Sequence, residues 1–385
     1  RADLPLLHER KVRMVDTFKE DRQETLQSDR FTLFRERGRF VDSRTFQLER
    51  SGRHLTAGAF ILATGSQVNY PPIPGLDRDD IWTSDDVLEL AEQPESVIVL
   101  GGGVVACELA QFLKRIGSHV IQVQRSPHIL KEGSMEAACV LMEVFRREGV
   151  ELYTGTQLQG VSKGPEGFIV RFEQDGRSQT VNATHLVNCL GRKPTTEGLG
   201  LEMAGVELKP NGQIRVNAWQ QTTNPGIYAA GDVTGPFEIV HIAILQGEVA
   251  ARHATGRDPE PVDLDSRTLI VFTDPQVASA GIPLEEARRR GMDVVVADYP
   301  FDDHGKSILM EATDGYVKAW ADRTTGHLVG AECVGKDAGE LIHAMAVSVS
   351  LKATVQDLLK VHWYHPTLSE IWTYPLEDIR DRLRD

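Results

Sequence analysis

The sequence predicts an α/β protein with more than one domain. Its 385 residues exceed the usual size of a single domain. From Ser96 an apolar strand, a glycine turn, a helix and a second strand follow one another, which is the order of a βαβ unit. From about residue 267 strands and helices recur with a different composition. The fold class is therefore α/β, with a central βαβ domain and a terminal α+β domain.

Composition and charge exclude several classes of protein. The 42 Lys and Arg residues against 56 Asp and Glu give a formal net charge of −14, which argues against a nucleic acid partner. No stretch approaches the roughly 18 uninterrupted apolar residues of a membrane helix, and the charged start of the chain lacks a signal-peptide core. We therefore expect a cytoplasmic protein with no membrane partner.

The four cysteines are spaced too widely for a CxxC pair or a metal site. They are expected to be buried free thiols, and we expect no bound metal. The residues are Cys107, Cys139, Cys189 and Cys333.

The elements before and after the βαβ unit can be predicted in order. Apolar positions at helical spacing predict a long helix over 4–28, and three strand-like pieces over 31–63 predict a small antiparallel meander. Beyond the unit we predict a helix near 135–148, a hairpin around Asp175-Gly176 and a strand that ends at 191. The central domain then has the size of a nucleotide-binding domain.

The glycine turn of the βαβ unit carries the pattern GxGxxA. Gly101 permits the tight turn, Gly103 lets a pyrophosphate approach the backbone, and Ala106 lets the helix pack closely on the strand. The N-terminus of the following helix supplies unpaired N–H groups and positive potential. The segment therefore predicts a dinucleotide site.

The end of the second strand indicates which dinucleotide is preferred. NAD-type sites place an acidic residue there for the ribose 2′-hydroxyl, whereas this chain has Gln124 and Arg125. Arg125 can pair with a 2′-phosphate, and Lys131 is near enough in sequence to assist. We therefore predict NADP(H), with NAD(H) as a possible alternative.

A second nucleotide signature runs from Thr222 to Asp232. It places an apolar strand end, Gly231 and the Asp232 carboxylate where the carboxylate can accept hydrogen bonds from a polyol. Because such a loop is also a common strand terminus, the spacing alone leaves flavin binding open.

Six motifs occur in an order typical of one family. They are AFILATGS at 59–66, the glycine turn at 101, LGRKPTT at 190–196, IYAAGDV at 227–233, VFTDPQVASAG at 271–281 and HPTLSE at 365–370. Over essentially its whole length the chain resembles the pyridine nucleotide-disulfide oxidoreductases, the class I flavoprotein disulfide reductases that include dihydrolipoamide dehydrogenase, glutathione reductase and mercuric reductase.

The resemblance implies a split FAD-binding domain, an inserted Rossmann-like NAD(P) domain and a C-terminal α+β dimerisation domain. The corresponding boundaries are 1–92 with 216–262 for FAD, 93–215 for NAD(P) and 263–385 for a homodimer interface. The implied cofactors are FAD and NADP(H). Residues implied to lie at the cofactors, beyond the glycine turn and Arg125, are Thr64, Gly65, Glu108, Gly191, Gly231 and Asp232. Glu108 matches the family's glutamate that pairs with a lysine beside the flavin.

The chain also departs from the family pattern. Family members begin with a strand, a GxGxxG turn for FAD, and a helix with a CxxxxC redox pair and the flavin-side lysine, none of which occurs here. We expect this N-terminal FAD and CxxxxC unit to be absent from the chain, by truncation or by a shortened gene.

The pair His365 and Glu370 has the chemistry of an acid–base device. A carboxylate that accepts one imidazole N–H fixes the tautomer, supports the protonated form and directs the other nitrogen at a substrate thiol. Spacing alone does not establish catalysis. The resemblance implies that both residues are catalytic and cross the dimer interface to serve the partner's disulfide.

Three functions remain open at this stage. The leading one is a reductase that moves hydride from NADPH to FAD and electrons onward to a small disulfide or another small-molecule acceptor. The second is a transhydrogenase-like flavoprotein without redox thiols. The third is a nucleotide-binding dimer that catalyses nothing.

Overall fold

The computed structural model describes residues 2–384, which form helices α1–α10, strands β1–β19 and two short 3-10 turns. The helices are α1 Leu4–Leu26, α2 Ser84–Leu88, α3 Val104–Arg115, α4 Met135–Glu148, α5 Val240–Ala254, α6 Leu284–Arg289, α7 Gly305–Leu309, α8 Ala338–Ser350, α9 Val355–Leu358 and α10 Thr373–Arg382. The 3-10 turns are Phe301–Asp303 and Ser369–Trp372.

Strands of six residues or more lie in two of the antiparallel sheets, and the other described strands are shorter. They are β1 Gly38–Phe40, β2 Thr45–Leu48, β3 His54–Thr56, β4 Phe60–Leu62, β5 Ser66–Val68, β6 Ser96–Leu100, β7 His119–Val123, β8 Glu151–Tyr153, β9 Thr156–Gly164, β10 Gly167–Gln174, β11 Arg177–Ala183, β12 His185–Asn188, β13 Arg192–Pro194, β14 Ile227–Ala229, β15 Thr268–Val271, β16 Gln276–Gly281, β17 Val294–Pro300, β18 Tyr316–Asp322 and β19 Leu328–Gly335.

The predicted βαβ unit forms the centre of a parallel sheet. Its strand order is β12-β6-β7-β8, every pair is parallel, and α3 connects β6 to β7. The run Val97-Ile98-Val99 on β6 is fully buried, as expected for a strand covered on both faces. The sequence prediction for this region is therefore confirmed.

Helix α4 shows why the local sequence specifies its ends. The Ser134 side chain caps the N-terminus by accepting a hydrogen bond from Ala137 N at 3.0 Å. Gly149 adopts a left-handed conformation with φ 84° after the last turn, which is the usual glycine stop. The helix predicted near 135–148 therefore matches Met135–Glu148.

A second layer covers this domain with the antiparallel sheet β11-β10-β9. Gln174 pairs with Arg177 across a two-residue turn, in which Asp175 has φ 52° and Gly176 has φ 72°. Positive φ at both central positions is the requirement of a tight hairpin turn, and it explains the Asp-Gly signal. The hairpin prediction is confirmed.

The N-terminal meander differs from the prediction. Strands β1, β2 and β3 form an antiparallel sheet, but β4 lies outside it and pairs in parallel with β14. The assignment of AFILATG to the meander is therefore wrong. The physical reason is a long-range pairing, in which Leu62 and the fully buried β14 join one core cluster.

Helix α1 is confirmed as a long helix, but its apolar side is largely uncovered within the described chain. Of its residues only Leu4 is buried. Exposed apolar side chains on this helix are Leu6, Leu7, Val12, Met14, Val15, Phe18 and Leu26.

The terminal domain is a five-stranded antiparallel sheet, β15-β16-β19-β18-β17. Helix α8 packs on β16 and β19, and α10 packs on β17 and β18. Val271, Val277 and Val334 of this sheet belong to the same buried cluster as Val99 of the parallel sheet. The terminal domain is therefore joined to the central one by apolar contact, although the domain boundaries themselves stay predictions.

Candidate functional site

The glycine turn between β6 and α3 has the geometry of an anion site. Gly101 has φ 119°, and its N–H donates to Val123 O at 2.9 Å. Gly103 begins the helix without a side-chain cap, and a Cβ on Gly103 would meet no atom within 4 Å. Ala106 is buried against Gly101. The helix N-terminus is thus uncapped, with open space at the Cβ position of Gly103, which fits a pyrophosphate.

The residues predicted to select the dinucleotide lie just beyond β7. The guanidinium of Arg125 is exposed and forms no hydrogen bond or ion pair with residues 2–384. Gln124 is nearly buried, because it packs against Gly102 and its Oε1 accepts a hydrogen bond from Arg125 N at 3.0 Å. Lys131 pairs with Glu132 at 3.1 Å on the surface. Arg125 is therefore the cation best placed to meet a phosphate.

Two parallel strands bring the second group of predicted residues together. Thr64 and Gly65 follow β4, and Gly231 and Asp232 follow β14, so both pairs lie at the same carboxyl edge. Gly231 N donates to Gln246 Oε1 at 2.7 Å, which fixes the start of the Asp232 loop. This edge is where ligands of open α/β sheets bind.

A hydrogen-bonded chain orients the Asp232 carboxylate. Ser66 Oγ donates to Asp232 Oδ2 at 2.8 Å and accepts from Arg192 Nε at 2.7 Å. Arg192 also donates to Ser66 O at 2.8 Å. Asp232 Oδ1 accepts no hydrogen bond from the described residues, which leaves it able to accept one from a hydroxyl group. These residues fit the hydroxyl-bearing part of a flavin nucleotide.

Sequence reasoning missed Ser66 and Arg192 as functional residues. Both lie inside two of the six family motifs, AFILATGS and LGRKPTT, so the sequence did mark these segments as functional. Their contact could not be seen because it spans 126 residues of chain. Gly191, which was predicted, has φ 97°, accepts from Asn69 N at 2.9 Å and precedes Arg192 at the start of β13.

Glu108 accepts a hydrogen bond from a backbone N–H group. Its Oε1 accepts a hydrogen bond from Phe272 N at 2.8 Å and so joins α3 to the loop after β15. Burial raises the pKa of this carboxyl group, and the hydrogen bond from Phe272 lowers it. Within residues 2–384 Glu108 forms no ion pair with a lysine, and the pairing implied by the resemblance stays a prediction.

The predicted acid–base pair is assembled in the terminal domain. His365 Nδ1 lies 2.8 Å from Glu370 Oε2, and the His365 side chain is 82% exposed whereas that of Glu370 is 12% exposed. Thr367 N donates to Glu370 Oε1 at 3.3 Å. The carboxylate is thus anchored, while the imidazole presents its Nε2 to the outside.

Glu370 lies in the 3-10 turn that starts at Ser369, and α10 follows at Thr373. No hydrogen bond or ion pair joins His365 or Glu370 to the glycine turn or to Asp232 among the described residues. The acid–base pair therefore makes no polar contact with either nucleotide site of the same chain, and the His365 side chain is exposed.

The cysteines offer no redox pair within the described chain. All four are free, and burial raises the pKa of Cys107 and of Cys189 to about 12, which suppresses the reactive thiolate. Cys107 and Cys333 are buried, Cys189 is half-buried, and Cys139 is exposed on α4. The expectation of burial is therefore met in full by Cys107 and Cys333 and is wrong for Cys139, because this position faces outward between the buried turns of its helix.

The described residues contain neither a metal-type cluster nor a helix suited to a membrane. Between residues 2 and 384 no three His, Cys, Asp or Glu side chains are grouped so that they could hold a metal ion. None of the described helices is both long and apolar enough to cross a membrane.

Comparison with known proteins identifies the family. Residues 4–247 match the pyridine nucleotide-disulphide oxidoreductase model, and residues 268–375 match the dimerisation domain of the same family. The chain is 37% identical over 350 residues to a dihydrolipoyl dehydrogenase of Thermus scotoductus, covering 90% of this chain and 74% of the relative. It is 32% identical over 370 residues to a mercuric reductase of Staphylococcus aureus, covering 96% and 67%.

Solved structures agree with this result. LpdA from Mycobacterium tuberculosis superposes with a TM-score of 0.88 at 28% identity, over 98% of this chain and 84% of the other. The HOCl-induced flavoprotein disulfide reductase RclA from Escherichia coli shares the fold, with a TM-score of 0.87 at 23% identity over 98% and 86%. The chain therefore belongs to the pyridine nucleotide-disulphide oxidoreductase family, whose members are flavin-dependent oxidoreductases that use FAD and NAD(P)H.

Proposed function

We propose that this protein is an NADPH-dependent flavoprotein that reduces a small disulfide or a related small-molecule acceptor. The observation that carries the proposal is the pair His365 and Glu370, in which an anchored carboxylate supports an exposed imidazole at 2.8 Å. Disulfide reduction generates thiolates that must be protonated, and an imidazole with a free nitrogen can hold and deliver that proton. The relatives named dihydrolipoyl dehydrogenase and mercuric reductase support this class of substrate.

The nucleotide part of the proposal rests on α3 and Arg125. Unpaired N–H groups at the helix N-terminus bind the pyrophosphate, with Gly103 admitting it to the backbone. The exposed guanidinium of Arg125 supplies a fork for the 2′-phosphate of NADP(H). NAD(H) remains the alternative, since it shares the pyrophosphate contacts.

The flavin part of the proposal rests on the β4 and β14 edge. Asp232 Oδ1 accepts a hydrogen bond from a hydroxyl group of FAD, while Ser66 and Arg192 hold the carboxylate in place. Thr64, Gly65 and Gly231 surround the same edge. When bound, FAD accepts hydride from the reduced nicotinamide and passes two electrons onward. The residues of this chain bind and orient it.

We further propose that residues 263–385 form a homodimer interface, with His365 and Glu370 acting at the partner's redox site. The exposure of the His365 imidazole supports this arrangement. So do large exposed apolar side chains on α7 and at the end of α8, namely Ile308, Leu309, Val347 and Leu351. Sedimentation of the purified protein should show a dimer, and a monomer would contradict this part. The composition also favours a cytoplasmic location, which cell fractionation would check.

The function is tested by following electrons from NADPH to different acceptors. Purified protein that includes the family's N-terminal FAD and CxxxxC unit is supplied with FAD and mixed with NADPH and with lipoamide, glutathione disulfide or an oxidised nicotinamide analogue. The proposal expects disulfide-dependent oxidation of NADPH that is lost in His365→Ala. Transfer to the nicotinamide analogue alone would support the transhydrogenase-like alternative. Absence of both flavin binding and turnover would support the nucleotide-binding dimer.

A further inference from the structure

A second histidine lies behind the acid–base pair. His304 follows the 3-10 turn Phe301–Asp303, and only 1% of its surface is exposed. Its Nδ1 lies 2.8 Å from Ser307 Oγ. Its Nε2 is buried, has no hydrogen-bond partner within residues 2–384, and lies 3.6 Å from Glu370 Oε1. The imidazole is therefore directed at the carboxylate that supports His365.

The Glu370 carboxylate has a histidine on each side. Its Oε2 lies 2.8 Å from His365 Nδ1, and its Oε1 faces His304 Nε2 while accepting from Thr367 N at 3.3 Å. The two oxygens of one carboxylate share one negative charge. A hydrogen bond donated to Oε1 therefore changes how strongly Oε2 stabilises a proton on His365.

The contact with Ser307 assigns the tautomer of His304. A bare nitrogen lone pair facing a carboxylate oxygen would be repulsive, so Nε2 carries the proton and points it at Glu370. Nδ1 then accepts a hydrogen bond from the Ser307 hydroxyl group, which fits their separation of 2.8 Å. The 3.6 Å gap between His304 Nε2 and Glu370 Oε1 closes to a hydrogen bond with a small side-chain movement.

We propose that His304 is a positioning residue that holds Glu370 from the side opposite His365, so that two imidazoles share one carboxylate and His304 tunes the basicity of His365. The inference rests on the proposed function, because it assigns a role to His304 through the acid–base pair. His304 does not contact substrate or cofactor in this arrangement. It acts only through Glu370.

The charged and titratable groups around His304 agree with this role. Burial lowers the pKa of His304, Glu370 raises it, and His365 lowers it again, so that the two histidines oppose each other's protonation. On the remaining side lie Tyr374, whose ring centroid is 6.3 Å away, and Tyr299, which stacks on Tyr374 and donates to Asp303 at 2.9 Å. Glu370 is therefore the anion that His304 meets directly.

The test is a titration of His365 by NMR in the whole chain, labelled with ¹³C at the histidine rings. His304→Leu removes the donor to Oε1 and leaves more negative charge for His365. We expect the pKa of His365 to rise by about half a unit or more. His304→Gln restores a neutral N–H donor and should return the pKa towards the original value. An unchanged His365 curve in His304→Leu would overturn the proposal.

Two further variants keep the result interpretable. Ser307→Ala leaves the imidazole in place but removes the hydroxyl group that orients it, so a smaller rise of the His365 pKa is expected. If His304→Leu does not fold, an unchanged curve in Ser307→Ala overturns the proposal instead. His327→Gln is the matched control, because His327 lies in the same domain and bonds to Lys352 O rather than to Glu370. It should leave His365 unchanged.

The titration needs no cofactor or turnover. A negative titration can therefore be distinguished from a result that contradicts the proposed function. If the His365 curve responds to His304 but His365→Ala leaves disulfide reduction intact, the function is wrong and the coupling stands. If His365→Ala abolishes disulfide reduction but no coupling is seen, the function stands and the role of His304 is wrong.

Discussion

The carbonyl oxygen of Cys189 lies so close to Gly101 that a Cβ on this glycine would be 2.3 Å from it. Gly101 also has φ 119°, a conformation that other residues rarely adopt. Gly103 is different, since its φ is −76° and its Cβ position is open. Gly101 is therefore required by the fold, whereas Gly103 is free to serve a ligand.

Alanine at these two glycines should separate stability from binding. Gly101→Ala is expected to lower the free energy of unfolding by roughly 1–3 kcal/mol, because of the clash and the unfavourable φ. Gly103→Ala should change stability little but weaken NADPH binding by about tenfold, or about 1.4 kcal/mol. Urea unfolding and fluorescence titration measure the two effects. Equal effects of both variants on binding, with no difference in stability, would contradict this division.

Reversing the charge of Arg125 should weaken NADPH binding selectively. Arg125→Glu places a carboxylate beside the 2′-phosphate, so we expect the Kd for NADPH to rise about 10- to 100-fold. The Kd for NADH should change by less than about threefold, because NADH lacks that phosphate. Arg177→Glu, at an exposed arginine on β11, is the matched control. Equal loss for both nucleotides would remove Arg125 from the phosphate site.

Local sequence patterns predicted much of the fold but not the long-range contacts. The βαβ unit, the capped helix α4 and the Asp175-Gly176 turn each follow from neighbouring residues. The parallel pairing of β4 with β14 does not, because no local pattern specifies a partner so far along the chain. For the same reason the contact of Ser66 with Asp232, 166 residues apart, could not be predicted.

The acid–base pair also combines a local contact that the sequence could suggest with a long-range contact that it could not. His365 and Glu370 are five residues apart, so the turn chemistry after Pro366 could suggest their contact. His304 reaches Glu370 from another element, and its sequence carries no signal for that approach. The resemblance to a family supplied cofactors and residue roles that no local pattern could indicate.

Removing the Ser66 hydroxyl group should weaken flavin binding without unfolding the protein. Ser66→Ala breaks both the hydrogen bond to Asp232 and the one from Arg192, so the carboxylate loses its fixed orientation. We expect the Kd for FAD to rise by about tenfold, or about 1.4 kcal/mol. Ser51→Ala, at an exposed serine in the turn between β2 and β3, is the control. The released flavin is measured by absorbance after gel filtration.

Acidification should destabilise the protein through two histidines whose pKa is lowered by partial or complete burial. Burial lowers the pKa of His304 and of His185 below the ordinary value of 6.5. Between the lowered value and 6.5 the unfolded chain binds more protons than the folded one, so stability falls as the pH is lowered through this range. The urea midpoint should therefore decrease on going from about pH 7 to about pH 5.

The variant His304→Gln measures the contribution of His304 to the dependence of stability on pH. Because glutamine does not titrate, the decrease in urea midpoint over the same pH range should be smaller than in the unmodified protein. His362→Gln, at an exposed histidine, should leave the decrease unchanged. A pH dependence that is identical in all three proteins would mean that His304 is protonated equally easily in both states.

Removing the His365 imidazole should slow one half-reaction and spare the other. The imidazole is exposed and anchored by Glu370, so it can exchange protons with a thiol but touches neither nucleotide site of its own chain. In a protein that also carries the family's N-terminal CxxxxC unit, we expect His365→Ala to slow dithiol–disulfide exchange by about 100-fold or more, which is typical for loss of a general acid–base residue. Reduction of the flavin by NADPH should change by less than about threefold, because no step of that transfer needs this proton.

Two variants define what the result means. His362→Ala removes a nearby exposed histidine that has no carboxylate partner among the described residues, and both half-reactions should stay normal. Glu370→Gln keeps His365 but removes the charge that supports its protonated form, so thiol exchange should slow and its pH optimum should move to lower pH. Stopped-flow absorbance resolves the two half-reactions in each variant. If His365→Ala slows both equally, the histidine supports the fold or the dimer rather than the thiol chemistry.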